Sequence, residues 1–348
     1  MEKIRLGLIG CGGMMKSHVS NINKVEGAIV SAVCDIDIKL AEDVASELPH
    51  KPYVTWDYKT MLDHVDAVLV ALPHDLHYEC GMFFARNKKH VLMEKPLCNS
   101  EEECIKLIET CEEEGVTLMC AYPVRFWPGV VKLKELVDSG EYGKIMQMSI
   151  WTEQYTKFPE ISWVNSARVG GGQFFSHGCH YVDIFLWFLG EPVKGSHFGT
   201  KVGTPWMMRE GTSSAIFKFE NGAIGYHGAT WGAKGTSLGY SFQIQTEKAM
   251  LEYHHTKGTL RVYQGLAEHK PGEIEDRLGS KLIWEREATG KESHYEISHF
   301  IDCVKTGKTP LTNGWDSLQS LRVIWRMYDA EKHDEVADLR GLGFGKNK

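Results

Sequence analysis

Over the first 121 positions apolar residues come in short uninterrupted runs, each separated from the next by a stretch of helical spacing. The runs are Ile4–Ile9, Ala28–Cys34, Ala67–Ala71, His90–Met93 and Thr117–Ala121. They are too short for helices and are bounded by turn or polar residues, as strands buried on both faces are. Between them, Asp37–Leu48, His77–Asn87 and Ser100–Glu114 carry apolar residues at helical spacing. Strand and helix in alternation predict a parallel sheet covered on both sides. Asn99 and Ser100 ahead of Glu101, Glu102 and Glu103 form a helix start. A polar cap is followed there by acids that suit the positive end of the helix dipole.

Beyond Tyr122 the pattern changes. A helix over 129–137 ends at Ser139-Gly140, and alternation of period two runs through Lys144–Tyr155. A glycine hinge at 170–172 opens an apolar helix expected to reach about Leu189. Strands then follow one another without helices between them. The clearest hairpin is Ala215–Phe219, Glu220-Asn221-Gly222, Ala223–His227, with a type I′ turn expected because Asn-Gly accepts positive φ. Final helices are expected near Ser293–Val304 and Ser317–Lys332, packing back on the first half of the chain.

Composition narrows the setting. The chain has 348 residues, 43% hydrophobic and 24% charged, which suits two domains of ordinary size. A formal net charge of -7 argues against a surface built to neutralise phosphates, so nucleic acid is not an expected partner. No stretch reaches the ~18 uncharged apolar residues of a membrane helix, and the first residues lack the apolar region of a secretion signal. The nine cysteines are odd in number and contain no CxxC pair, unlike a disulfide framework. Buried thiols, no membrane contact and a cytoplasmic location are the expectation.

Candidate chemistry begins at Leu6-Gly7-Leu8-Ile9-Gly10-Cys11-Gly12-Gly13-Met14-Met15. Glycines follow the first strand and open a helix: Gly10 permits the tight turn, and Gly12 lets the backbone approach a pyrophosphate at the helix N-terminus. Met15 stands where a third small residue is usual. Asp35 ends the second strand about 20 residues on, where an acid holds the ribose hydroxyls of the adenosine. With Ile36 next and no Arg or Lys immediately beyond, Asp35 favours NAD over NADP, whose 2′-phosphate a carboxylate repels. The fold class is therefore α/β. A Rossmann dinucleotide-binding domain over 1–122 precedes an α/β domain over 123–348, whose open sheet is largely antiparallel or mixed.

Four further blocks carry a resemblance. They are Ala71-Leu72-Pro73-His74-Asp75-Leu76-His77, His90-Val91-Leu92-Met93-Glu94-Lys95-Pro96, Arg125-Phe126-Trp127-Pro128, and the run from Gly170-Gly171-Gly172 through Ser176, His177 and His180 to Asp183. In this order they resemble the glucose–fructose oxidoreductase/inositol dehydrogenase/rhizopine-catabolism family, essentially end to end. The resemblance implies catalysis by Lys95 and His180 on a secondary alcohol of a sugar, cyclitol or related polyol. Lys95 would polarise the reacting oxygen and His180 would accept its proton. It further implies that Pro73 lies near the nicotinamide, that Glu94 helps hold its ribose, and that Lys95-Pro96 is cis. The expected cofactor contacts are Gly10, Gly12, Gly13, Met14 and Asp35 on one side, with Leu72, Pro73, His74, His77, Glu94 and Lys95 on the other. Substrate contacts are expected from Tyr122, Arg125, Tyr155, Trp163, Ser176, His177 and His180, with Trp151 and Arg168 as further candidates. The second sheet is expected to make a homodimer or homotetramer.

One departure stands out. The family usually carries an aspartate four residues before the histidine, and this chain has Ser176. His177, His180 and Asp183 are spaced so that they could ligate a metal, yet the further ligands of a zinc site are not evident, and no metal is assigned. Reading 170–189 as one helix puts Ser176 and His180 on a shared face and turns His177 partly away. Three functions stay open: an NAD-dependent dehydrogenase, a lyase, glycosidase or sugar-to-sugar oxidoreductase that recycles bound NAD, and a non-catalytic nucleotide sensor.

Overall fold

The computed structural model describes residues 2–160, 162–264, 280–287 and 292–343. Strands and helices alternate through the first part of the chain, except that a 3-10 turn over Tyr58–His64 separates its third and fourth strands. β1 (Ile4–Ile9), α1 (Gly13–Ile22), β2 (Ala28–Cys34), α2 (Ile38–Ser46) and β3 (Tyr53–Thr55) are followed by β4 (Ala67–Val70), α3 (His77–Arg86), β5 (His90–Glu94), α4 (Glu101–Glu113) and β6 (Leu118–Ala121). The strands form one sheet in the order β3-β2-β1-β4-β5-β6, and every pair in it is parallel. Residues of β4 and β6 are all buried, which is why these strands read as continuous apolar runs rather than alternations. The predicted start of α4 is as expected, with the Ser100 side chain accepting from the Glu103 amide. The strand order reverses at β1, between β2 and β4, where open parallel sheets bind ligands beyond their carboxyl ends.

The later elements are α5 (Pro128–Asp138), β7 (Ile145–Glu153), α6 (Gln173–Ser176), α7 (Cys179–Leu189) and β8 (Pro192–Thr200). They continue through β9 (Thr212–Phe219), β10 (Ile224–Thr230), β11 (Tyr240–Thr246), β12 (Ala249–His254), β13 (Thr259–Gln264) and β14 (Ser280–Glu285). The last are α8 (His294–Thr306), α9 (Gly314–Lys332) and β15 (Ala337–Asp338). A second sheet of nine strands runs β14-β13-β12-β11-β7-β10-β9-β8-β15. It is mixed, because β10 and β7 pair in parallel while its other neighbours are antiparallel.

Two compact units divide the chain. The first comprises Met1–Pro123, Ser166–Gly170 and Lys291–Leu321, and the second comprises Val124–Asn165, Gly171–Gly290 and Arg322–Lys348. In the first, α8 packs against α1. In the second, a side chain added at Gly225 of β10 would meet Phe185 of α7 at 3.1 Å, so α7 covers that face of the sheet. All nine cysteines are buried. No helix among the described residues is long and apolar enough to cross a membrane.

Two local expectations are corrected. The stretch 173–189 is not one helix: α6 ends at Ser176, His177 leaves helical geometry at φ -125°, and α7 begins at Cys179. Gly178 belongs to this break because a Cβ there would lie 2.4 Å from the Phe174 carbonyl oxygen. The hairpin between β9 and β10 does not turn through type I′ either. Gly222 N–H donates to the Phe219 carbonyl at 3.0 Å, and of the loop residues only Gly222 takes a positive φ, +88°. That is a type I turn closed by a glycine bulge, the ordinary solution for a three-residue loop.

Candidate active site

The glycine turn of the first unit is built around Gly10. Its φ is +84°, and a Cβ there would sit 2.5 Å from the Ala71 carbonyl oxygen, so no other residue fits. Gly12 and Gly13 are exposed, and a Cβ on either would enter open space. The N-terminus of α1 has no side-chain cap and no acid in its first turn. Backbone N–H groups and the positive end of the dipole therefore face room that suits an anion. Asp35 is held by the turn it serves: one carboxylate oxygen accepts the Cys11 amide at 2.6 Å and the other the Asp37 amide at 2.9 Å. Ile36 and Trp56 follow β2 and β3 and are 90% and 67% exposed. They are large apolar residues beside Asp35 that sequence reasoning did not assign. These features fit a dinucleotide, with the pyrophosphate at Gly12 and Gly13, a ribose at Asp35 and apolar surface for an adenine.

The carboxyl ends of β4 and β5 supply the rest of this unit's polar groups. Leu72 and Pro73 are half-buried after β4, and Lys95 is half-buried after β5. The Lys95-Pro96 peptide is cis. Glu94 is buried and accepts the Lys95 amide at 3.2 Å through one oxygen. Its other oxygen lies 2.7 Å from Nε2 of His18, a buried residue of α1 that the sequence did not single out. His74 and His77, both read as cofactor contacts from the sequence, are held by backbone carbonyls. His77 is fully buried, with Nδ1 2.8 Å from the Pro96 carbonyl oxygen and Nε2 2.9 Å from that of Leu72. Burial lowers its proton affinity against the pull of those two carbonyls. His74 is buried against the Val169 carbonyl, at 3.2 Å. Its proton affinity is held well down, first by burial and then by His77 and Lys95. Both imidazoles are turned toward backbone carbonyls of the first unit.

In the second unit the break at His177 assembles a chain of side chains. Ser213 Oγ donates to Gln173 Oε1 at 2.8 Å, and Gln173 Nε2 lies 3.2 Å from His177 Nδ1. His177 Nε2 lies 3.4 Å from the Tyr240 hydroxyl, which donates to Gln154 Oε1 at 2.7 Å. The directions are consistent only one way. Tyr240 spends its proton on Gln154 and so accepts from His177 Nε2–H, while His177 Nδ1 accepts from the Gln173 amide. This pattern assigns the donor N–H of His177 to Nε2. Burial raises the Tyr240 hydroxyl above its usual range, so it stays protonated. His180 is buried on the first turn of α7, its ring edge-on to His177 at 5.8 Å. His227, on β10, is fully buried beneath Tyr181 and bonded to Thr152 at 3.1 Å. Burial brings its pKa down to about 3.

Several expected substrate contacts divide sharply. Arg125 is buried, and its guanidinium makes two bonds to Asp183, 2.6 and 2.8 Å long. Tyr122 is fully buried, its hydroxyl accepting from Ser317 at 3.2 Å. Both side chains are packed in the core against these partners. Asp183 accepts both bonds from Arg125, and among the described residues no group of three or more His, Cys, Asp or Glu is arranged to hold a metal ion. Tyr155 and Trp163 are 51% and 41% exposed. Trp151 is half-buried against Tyr226, and Arg168 pairs with Asp75 at 3.3 Å. Ser176 is buried at the end of α6.

Comparison with known proteins places this architecture. Residues 4–122 match the oxidoreductase family with the NAD-binding Rossmann fold, and residues 130–252 match the GFO/IDH/MocA C-terminal domain. The chain belongs to the GFO/IDH/MocA oxidoreductase family. It is 28% identical over 331 residues to scyllo-inositol 2-dehydrogenase (NAD(+)) of Bacillus subtilis (strain 168), covering 92% of each protein. A shorter match, 31% identical, joins it to 2,7-anhydro-N-acetylneuraminate hydratase of Escherichia coli (strain K12), over 54% of this chain and 50% of that one. Among solved structures, levoglucosan dehydrogenase in complex with NADH and levoglucosan superposes with a TM-score of 0.84 at 19% identity, over 97% of this chain and all of that one. At that identity the likeness is one of fold.

Proposed function

We propose that this member of the family is an NAD-dependent dehydrogenase that oxidises a secondary hydroxyl of a sugar, glycoside or cyclitol. The observation that carries the reading is Lys95, a half-buried ammonium where β5 ends, in the sheet whose glycine turn and Asp35 suit a dinucleotide. The inositol dehydrogenase among its relatives supports the substrate class. Asp35 supports NAD over NADP, since a 2′-phosphate would meet its carboxylate.

Gly12, Gly13 and Asp35 would hold the dinucleotide, which when bound would supply the hydride-accepting chemistry. The protein's part is to move one proton and stabilise charge on one oxygen. His180 accepts the hydroxyl proton as the C=O bond forms, while the Lys95 ammonium hydrogen-bonds that oxygen as negative charge grows on it. His177 does not serve as base, because both its ring nitrogens are engaged by Gln173 and Tyr240. Tyr155, Trp163 and Ser176 remain the side chains proposed to shape the substrate's surroundings.

A second reading has a specific basis in the hydratase relative and in Ser176, which stands where the family has an aspartate. In it the cofactor stays bound and is regenerated within each cycle. A screen of sugars, glycosides and inositols, with mass spectrometry of the purified protein for retained NAD, decides between them. Net accumulation of reduced cofactor is expected. Product formed without it would transfer the assignment to the second reading.

The proposal includes a cytoplasmic location and self-association. Phe198, Ile216 and Ile224 lie exposed on the sheet face opposite α7, beside the Trp151–Tyr226 pair. Apolar exposure of this kind suits an isologous contact with a second copy. Light scattering that returned a monomer mass would remove that part of the proposal.

A further inference from the structure

Lys95 is the short link between two gripped neighbours. On one side Glu94 is buried, with one oxygen 2.7 Å from His18 Nε2 and the other accepting the Lys95 amide at 3.2 Å. His18 is itself buried in α1, and its Nδ1 makes no hydrogen bond among the described residues, so Glu94 is the polar group this ring serves. On the other side Pro96 offers its carbonyl oxygen to His77 Nδ1 at 2.8 Å. The same ring reaches the Leu72 carbonyl at 2.9 Å with Nε2. His77 is the first residue of α3, and Leu72 and Pro96 leave the carboxyl ends of the adjacent strands β4 and β5.

We infer that His18 and His77 are positioning residues that bracket Glu94-Lys95-Pro96 and fix where the Lys95 ammonium stands. His18 links the segment to the helix that opens at the glycine turn. His77 links it to the loop carrying Pro73. His77 stands between two carbonyls on opposite sides of its ring, 2.8 and 2.9 Å away, and as a neutral imidazole it donates its single N–H to one of them at a time. Loss of the His18 bond removes one of the contacts that hold the buried Glu94 carboxylate, and a shift of that carboxylate carries with it the Lys95 amide that donates to it. A reacting group displaced by about 1 Å loses on the order of 10²-fold in rate.

The inference rests on the assignment of Lys95 to the reacting oxygen, and the test separates the two. His18→Leu and His77→Leu, with His18→Gln and His77→Gln as donor-retaining partners, are made in the whole chain, alone and combined with Lys95→Met. Trace acetylation of Lys95 followed by peptide mass spectrometry reports its reactivity against pH, with Lys132 as a distant control. Turnover is read on whichever sugar or inositol the screen identifies. The leucine variants are expected to shift the Lys95 labelling profile and leave that of Lys132 in place. They should lower kcat by about 10²-fold with KM for NAD within a few-fold, and lose about twofold or less when Lys95 is already methionine. The glutamine variants should recover part of both effects, and they carry the test if a leucine variant does not fold. Losses that multiply on top of Lys95→Met, or a Lys95 profile unmoved by either histidine, overturn the inference. If Lys95→Met alone turns over at the wild-type rate, the role of Lys95 falls, and the labelling profile by itself then decides whether the histidines hold the segment.

Discussion

The two units both bury histidines at the edge of their candidate chemistry, but they employ them differently. In the first, His18 and His77 bind a carboxylate and two backbone carbonyls at the ends of parallel strands, so the chain path itself is what they secure. In the second, His177 is one link in a line of side chains from Ser213 to Gln154, drawn from elements on both sides of the break after α6. A site shaped by backbone tolerates exchange of residues that only fill space and is intolerant at its glycines. A site shaped by a line of side chains has its tolerance set by whether each donor still finds its acceptor.

The most severe way to probe the second unit is at its buried ion pair. Asp183→Ala leaves the Arg125 guanidinium without its two bonds, and a loss of about 3–5 kcal/mol of stability is expected in chemical denaturation. A loss below about 1 kcal/mol would mean that Arg125 is not committed to the core and could again be considered for substrate.

Next comes the choice between neighbouring histidines. His180→Asn should reduce kcat by at least ~10²-fold, the range of a general base, and abolish the rise of kcat/KM with pH. His177→Asn should cost much less and keep that rise. The reverse ranking, with the rise surviving in His180→Asn, would make the line through His177 the proton acceptor and overturn the proposed role of His180.

The third prediction concerns stability and pH. His227 is neutral in the fold, with its pKa depressed to about 3 by burial, against about 6.5 in the unfolded chain. Between these values the unfolded state binds the extra proton, so this contribution is fully present above about pH 6.5 and lost as pH falls toward 3. The slope is at most about 1.4 kcal/mol per pH unit. His74 and His77, also lowered, act in the same sense. Denaturation of His227→Gln across this range should show a shallower acid limb than wild type; an unchanged limb would show that His227 is not buried as a neutral ring.

The smallest expected effect lies in the first unit. Asp35→Ala removes both a ribose acceptor and a repulsion of the 2′-phosphate, so the NAD to NADP ratio of kcat/KM should fall by about tenfold, on the order of one charge-assisted bond. An unchanged ratio would place cofactor choice elsewhere, with Ile36 and Trp56 the first residues to examine.

Much of the first unit was legible before any coordinates. Buried parallel strands announce themselves as apolar runs, and the positive φ of Gly10 and the acid at Asp35 are demands of a turn and a strand end, both local. What local pattern could not disclose was which polar residues turn inward. Histidines 74 and 77 stand in a loop motif that suggests a ligand, and Arg125 and Tyr122 stand among aromatics that suggest a sugar, yet all four are buried with protein partners. Burial is a property of what arrives from elsewhere in the chain. Asp183 comes from 58 residues beyond Arg125, and Glu94 from 76 beyond His18. The break at His177 is of the same kind, since Gly178 yields to the Phe174 carbonyl and the freed ring then meets Tyr240, 63 residues away. Residue order thus determined the alternation, the turn and the acid through short-range sterics and periodicity. The tertiary structure alone decided which side chains are spent on the protein, because that depends on desolvation and on partners that only packing brings within a hydrogen bond's reach.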